Sequence, residues 1–166
     1  GGGQILLTNV AGVDGPMSIS ADGSGSQVIL SGMTDVLLRS GYQVSFTAQN
    51  QGLVDLRSVR TISGYGCSVL STGTDSVIDL SSLSSFATPL GASSLTAQNG
   101  GVILLPDSVF MLQNVAVNIP AGNPVLPPTL VASPALTLYG KAWHSYWVEW
   151  RDTRAMDRTL PHAART

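Results

Sequence analysis

Charged side chains are scarce in this sequence, at 11% of 166 residues, and it contains one Cys and one Lys. So little charge argues against a disordered chain, a coiled coil or a helical bundle. A single Cys excludes an internal disulfide and a Cys-rich zinc site. A formal net charge of -2 leaves little cationic surface for nucleic-acid phosphates, so we expect no such partner. No apolar run approaches the roughly 18 residues of a membrane helix, so we expect no membrane span.

Groups that carry out catalysis are equally few. The two histidines, His144 and His162, have no metal-ligand spacing with another His, Cys or carboxylate. The sequence has no Gly-x-Ser-x-Gly elbow, no phosphate-binding loop with its Lys and no His-Glu-x-x-His. Catalysis needs several titratable groups that converge in a cleft. We therefore expect a chain that is not an enzyme, with no catalytic residues, metal or cofactor.

What the sequence does contain is an internal repeat. The segment 47–56 recurs at 96–105, a separation of 49 residues, and a related segment lies midway between them. Each unit begins at a leucine, continues through apolar positions and a glycine bend into an alternating stretch, and closes in a turn rich in Gly, Asn and Asp. The leucines are spaced 23, 26, 24 and 25 residues apart: Leu7, Leu30, Leu56, Leu80 and Leu105.

Units of this size cannot bury their own apolar face and become stable only by stacking. The repeat predicts an all-β fold, a parallel β-solenoid of about five coils of ~24 residues, with a right-handed β-helix as the expected form and leucine-rich repeats as the alternative. The period fails after Asn118. We expect β-solenoid repeats over 1–118, a Pro-rich linker or cap over 119–135, and an aromatic β-hairpin and tail over 136–166.

Stacked coils place equivalent residues about 4.8 Å apart. Asp55 and Asp79 share one outward position in adjacent coils, and Arg57 lies on the same face. A surface ion pair is the main interpretation. Paired carboxylates also leave a calcium site or a carbohydrate-active site open as alternatives.

Two further columns follow from the alternation. An inward apolar column contains Ile19, Phe46, Val69 and Leu95, and Cys67 points the same way as a small buried hydrophobe. An outward polar face has two rows, Ser18, Ser45, Ser68 and Ser94 beside Ser20, Thr47, Leu70 and Thr96. We interpret it as an ordinary polar sheet face, with an ice-binding surface as the alternative.

Apolar residues also occupy outward positions. In the other coils, the position equivalent to Asp55 is occupied by Leu6, Ile29 and Leu104. Exposed apolar rows mark a covered or binding surface. An aromatic cluster in the tail could pack on this apolar row, either on its own solenoid or on a neighbouring subunit. Its members are Trp143, Tyr146, Trp147 and Trp150. We predict an assembly interface from these two groups.

The repeated Thr-Ala-Gln-Asn-x-Gly, followed by Val-Asp-Leu-Arg-Ser-Val or Ile-Asp-Leu-Ser-Ser-Leu, resembles tandem β-solenoid repeats of large secreted bacterial surface proteins. These include adhesin-like and autotransporter-like passengers. The resemblance implies an extracellular or cell-surface location, although no targeting signal is present in the sequence. The leading hypothesis is a structural or adhesive solenoid that self-associates into oligomers or filaments, or binds a surface polysaccharide. A carbohydrate-binding or carbohydrate-active β-helix is the alternative.

Overall fold

The computed structural model describes residues 2–13, 15–39, 41–106 and 111–119, and the strands 129–132, 137–139 and 147–148. Every regular element among these residues is a β-strand, and none of their segments forms a helix that could cross a membrane. The first nine strands are β1 Gln4–Leu6, β2 Gly12–Val13, β3 Met17–Asp22, β4 Gln27–Ile29, β5 Asp35–Leu38, β6 Val44–Gln49, β7 Leu53–Asp55, β8 Thr61–Gly64 and β9 Cys67–Thr72. The others are β10 Val77–Asp79, β11 Ser85–Ala87, β12 Ser93–Gln98, β13 Val102–Leu104, β14 Met111–Gln113, β15 Val115–Asn118, β16 Thr129–Ala132, β17 Thr137–Tyr139 and β18 Trp147–Val148.

The strands form three parallel sheets, and each of the five coils from β1 to β15 contributes one strand to each sheet. Sheet A has the order β1-β4-β7-β10-β13, sheet B β2-β5-β8-β11-β14-β16-β18, and sheet C β3-β6-β9-β12-β15-β17. The chain passes through sheet A five times and so completes four full turns between the first and last passage. The predicted parallel β-solenoid is therefore confirmed.

The register of sheet A confirms the spacing of the repeat. Gln4 pairs with Gln27, Gln27 with Leu53, Leu53 with Val77, and Val77 with Val102, and these steps have the same lengths as the steps between the anchor leucines. Sheet C pairs Ile19 with Phe46, Phe46 with Val69, and Val69 with Leu95, as the alternation predicts. All four of those side chains are buried.

The core fills the space between the three sheets with one layer of apolar side chains per coil. It includes the anchor leucines of coils two to five, Leu30, Leu56, Leu80 and Leu105. Phe46 and Phe86 are the largest side chains in it, and both are fully buried. Leu7, the anchor of the first coil, is exposed. Burial of apolar area stabilises the stack, because each coil covers the core residues of the next.

Glycine is required where the turn before sheet A passes close to the preceding coil. A Cβ at Gly52 would lie 2.1 Å from the carbonyl oxygen of Ala21, and a Cβ at Gly101 2.4 Å from that of Ser71. The residues Asn50 and Asn99 that precede these glycines have φ of 52° and 53°, values that Asn tolerates better than most residues. The repeated Gln-Asn-x-Gly is therefore a tight turn fixed by the contact between coils.

The strands after residue 120 continue the sheets. β16 pairs with β14, β17 with β15, and β18 with β16, all in parallel. The predicted boundaries at residues 118 and 135 stay predictions, because most of residues 119–166 lie outside the described residues.

Candidate functional site

The candidate site lies on the outer side of sheet A, which we call the sheet A face. The middle residues of β4, β7, β10 and β13 are buried in the core, so the residues on either side of them point outward. They form two rows along the solenoid. The first row contains Gln4, Gln27, Leu53, Val77 and Val102. The second row contains Leu6, Ile29, Asp55, Asp79 and Leu104.

Asp55 lies near the centre of this face and is bound by Arg57. The Nε of Arg57 donates to both carboxylate oxygens of Asp55 at 3.0 Å, and its Nη2 donates to Oδ2 at 2.6 Å. The backbone N–H of Arg57 donates to Oδ1 at 3.1 Å. The residue Asp55 is only 6% exposed, whereas a surface ion pair was expected. Arg57 folds back over the carboxylate two positions earlier and shields it from water.

Asp79 belongs to the same cluster but is held more loosely. Its Oδ2 lies 3.7 Å from the Nε of Arg57, and its Oδ1 accepts a hydrogen bond from the backbone N–H of Ser81 at 3.0 Å. Asp55 and Asp79 are direct partners in the register of sheet A, as the sequence predicted. One guanidinium therefore serves two carboxylates, and the cluster carries a formal charge of about one negative unit.

Arg57 also sets the protonation state of the pair. Its side-chain hydrogen bonds hold the pKa of Asp55 below its ordinary value of 3.8, against the opposing effect of burial. The same contacts raise the pKa of the Arg57 guanidinium. Asp55 is consequently an ionised, fully hydrogen-bonded carboxylate at neutral pH.

This geometry favours the ion-pair interpretation over the two alternatives. A glycosidase acid needs a raised pKa so that it can donate a proton, and the pKa of Asp55 is shifted the other way. A calcium ion needs six to eight oxygen ligands. Among the described residues, no group of three His, Cys, Asp or Glu side chains could hold a metal.

The outer side of sheet C carries the predicted hydroxyl rows. The Ser45 Oγ donates to the Ser18 Oγ at 3.0 Å, and the Oγ atoms of Ser68 and Ser94 lie 3.4 Å apart. Leu70 pairs with Thr47 and Thr96 and interrupts the second row.

A third outward row on sheet C was not singled out from the sequence. It lies two residues beyond the second hydroxyl row in the same strands and contains Asp22, Gln49, Thr72 and Gln98. Gln49 and Asn50 each donate an amide hydrogen bond to the carboxylate of Asp22, at 2.9 and 2.8 Å. These bonds lower the pKa of Asp22. The period-two alternation, continued to the end of each strand, would have found this row.

Cys67 is buried beside the core, as predicted. It is 2% exposed, and burial raises the pKa of its thiol to about 12. A thiol that stays protonated and out of contact with water is a packing group rather than a nucleophile.

The predicted interface residues are brought together in part. Leu6, Ile29 and Leu104 lie in the second row of the sheet A face. Trp143, Tyr146 and Trp150 lie outside the described residues, and Trp147 is described only as a backbone position in β18. The prediction of the tail as a cover therefore stays a prediction.

Sequence reasoning missed the other half of the apolar surface. Leu53, Val77 and Val102 stand beside Asp55, Asp79 and Leu104 in their strands, one row away. The signal was present, since each of these residues lies two positions before an outward residue that the sequence had already identified.

Comparison of the chain with protein-family models, with curated proteins and with solved structures finds no match.

Proposed function

We propose that this chain is a non-enzymatic structural or adhesive β-solenoid that associates with copies of itself through the sheet A face or binds a surface polymer. One observation carries the proposal: apolar side chains hold six of the ten outward positions on this face. They are Leu6, Ile29, Leu53, Val77, Val102 and Leu104. Leu53, Val77 and Val102 are adjacent in the first row, whereas Asp55 and Asp79 separate Ile29 from Leu104 in the second. Clustered apolar residues on an outer face mark an interaction site.

The polar groups on this face already have partners within the chain. Asp55 accepts from Arg57, and Gln4 donates to the Gln27 side chain at 3.1 Å. Covering a polar group is costly when it loses its hydrogen bonds to water without replacement. These pairs keep their bonds when water leaves, whereas the remaining negative charge of the cluster at Asp79 requires a cation on the second copy.

The size of the sheet A face limits the strength of such a contact. Five strands ~4.8 Å apart and three residues of ~3.3 Å each give a flat area of roughly 200–250 Å². Stable interfaces bury about 800 Å² per partner. The face therefore supplies only part of an interface, and the surrounding corners must complete it. We expect association that depends on concentration.

The resemblance of the repeats to bacterial surface proteins supports an extracellular or cell-surface location for this role. The geometry gives less support to the carbohydrate-site and ice-binding hypotheses. Arg57 already occupies the carboxylate of Asp55, which weakens the hypothesis of a carbohydrate site at Asp55 and Asp79. Leu70 interrupts the hydroxyl rows, which weakens the ice-binding hypothesis.

The test is sedimentation velocity of the whole chain over a concentration series, with negative-stain microscopy of the same samples. Val77→Lys places a charge in the sheet A face, and we expect it to abolish the oligomers or filaments of the wild type. Leu37→Lys is the matched control, because Leu37 is an outward residue of β5 in sheet B and is 50% exposed. Circular dichroism confirms that both variants fold. A wild type that remains monomeric throughout, or equal behaviour of the two variants, would refute the proposal.

A further inference from the structure

A groove crosses the corner between sheets B and C, and it arises from unequal connection lengths. The connection from β5 to β6 has five residues, that from β8 to β9 two, and that from β11 to β12 five. The short connection of the third coil is therefore flanked by longer ones in the second and fourth coils. The groove runs along this corner from Pro16 of the first coil to Ala92 of the fourth, and its whole volume is about 550 Å³, within the range of ligand-binding clefts.

Tyr65 and Gly66 form the floor of the groove. Tyr42 and Gln43 stand on the wall that the second coil provides, and Gly91 and Ala92 belong to the opposite wall. The walls are two coils apart, or about 10 Å between backbones, which leaves room for one layer of groups between them.

Glycines bring the floor and the far wall into contact. A Cβ at Gly66 would lie 2.7 Å from the carbonyl oxygen of Ala92, and a Cβ at Gly91 2.7 Å from the backbone nitrogen of Gly66. A side chain at either position would push the two coils apart. The groove is thus closed at its base by backbone rather than by side chains.

The far wall is fixed by Asn114, which stands alone between β14 and β15. Its Nδ2 donates to the carbonyl oxygens of Thr88 and Gly91, at 3.0 and 2.7 Å. Both acceptors belong to the connection from β11 to β12. A wall held at two carbonyls is pre-organised, which reduces the entropy lost on binding.

The lining includes two tyrosines and the amide side chain of Gln43, and none of the lining residues is charged. Tyr42 is 44% exposed, and Tyr65 is half-buried and packs against the core. Within the described residues, no hydrogen bond is made by the hydroxyls of Tyr42 and Tyr65 or by the side-chain amide of Gln43. Tyrosine offers an apolar ring together with a polar tip.

The properties of the lining indicate which class of ligand the groove can bind. A sugar ring has an apolar C–H face that stacks on an aromatic ring, and its hydroxyls both donate and accept hydrogen bonds. A charged polymer would lose hydration in this uncharged groove without gaining an ionic partner. We infer that the corner groove built by Tyr42, Gln43 and Tyr65 binds a neutral polysaccharide chain. The inference rests on the polymer-binding part of the proposed function and specifies both its site and its ligand class.

The test begins with co-sedimentation of the whole protein with insoluble cellulose, chitin and β-1,3-glucan, and with an acidic pectin gel. Titration calorimetry with the hexasaccharide of the retained polymer then gives the affinity. We expect a neutral polymer to retain the protein. Tyr42→Ala and Tyr42→Leu should each weaken binding at least 10-fold, because leucine keeps apolar area but removes the ring. Tyr65→Phe keeps the packing and removes one hydroxyl, and it should weaken binding about 2- to 10-fold.

Leu37→Ala is the control, because it removes an exposed apolar side chain from another surface. It should bind like the wild type. Val77→Lys separates this inference from self-association, since it should lose oligomers and keep the affinity for the hexasaccharide. Retention by none of the neutral polymers, preference for pectin, or unchanged affinity in both Tyr42 variants would overturn the inference.

Discussion

Phe46 provides a direct test of the stacked core. Its side chain is fully buried and lies between Ile19 of the coil below and Val69 of the coil above. A buried aromatic side chain covers about 150–250 Å², worth roughly 4–6 kcal/mol at ~25 cal/mol/Å². Alanine retains a small part of this area, and the neighbouring coils relax only partly into the cavity. We expect Phe46→Ala to lower the free energy of unfolding by about 3–5 kcal/mol.

The assay is urea unfolding monitored by circular dichroism. With a slope of about 2 kcal/mol/M, the expected loss moves the midpoint down by about 2 M. Leu37→Ala is the control, and as an exposed position it should change stability by about 0.5 kcal/mol or less. A loss below about 1 kcal/mol for Phe46→Ala would refute the reasoning, because it would mean that Phe46 does not fill the space between the sheets.

Two further predictions concern titratable groups. The pKa of Asp55 lies below its ordinary value in the folded chain, so its contribution to stability is present above about pH 4 and is lost as the pH falls through the lowered value. Arg57→Met should therefore flatten the dependence of the urea midpoint on pH between about pH 5 and 2, and parallel profiles for wild type and variant would contradict this. Cys67, with its pKa raised to about 12, should react with a thiol reagent only after unfolding, and rapid labelling of the native protein at pH 8 would show that its burial is wrongly assigned.

The columns of the solenoid were predictable because two independent periods agree in the sequence. The repeated leucines fix the length of each coil, and the period-two alternation fixes which side chains point inward. Together these two periods are enough to place Phe46 above Ile19 and Asp55 beside Asp79. Sheet registers confirm both pairs.

Other features depend on geometry that the sequence patterns do not contain. Asp55 was expected at the surface, because a carboxylate in an outward position normally faces water. Its burial depends on the path of the Arg57 side chain, which alternation does not specify. The groove at Tyr42 and Tyr65 was missed for another reason. It arises from differences between coils, whereas a search for repeats detects what coils have in common.

The unequal connections between sheets B and C also indicate where this fold tolerates insertions. Sheet pairing persists across the first five connections between sheets B and C, which have three, five, two, five and one residues, the last of them Asn114 alone. The stack therefore specifies its strands and leaves the length of this corner free within those limits. Loop tips of this kind are where insertions are tolerated. The corner is thus a natural grafting point, at which new recognition segments can be exchanged without redesigning the scaffold that displays them.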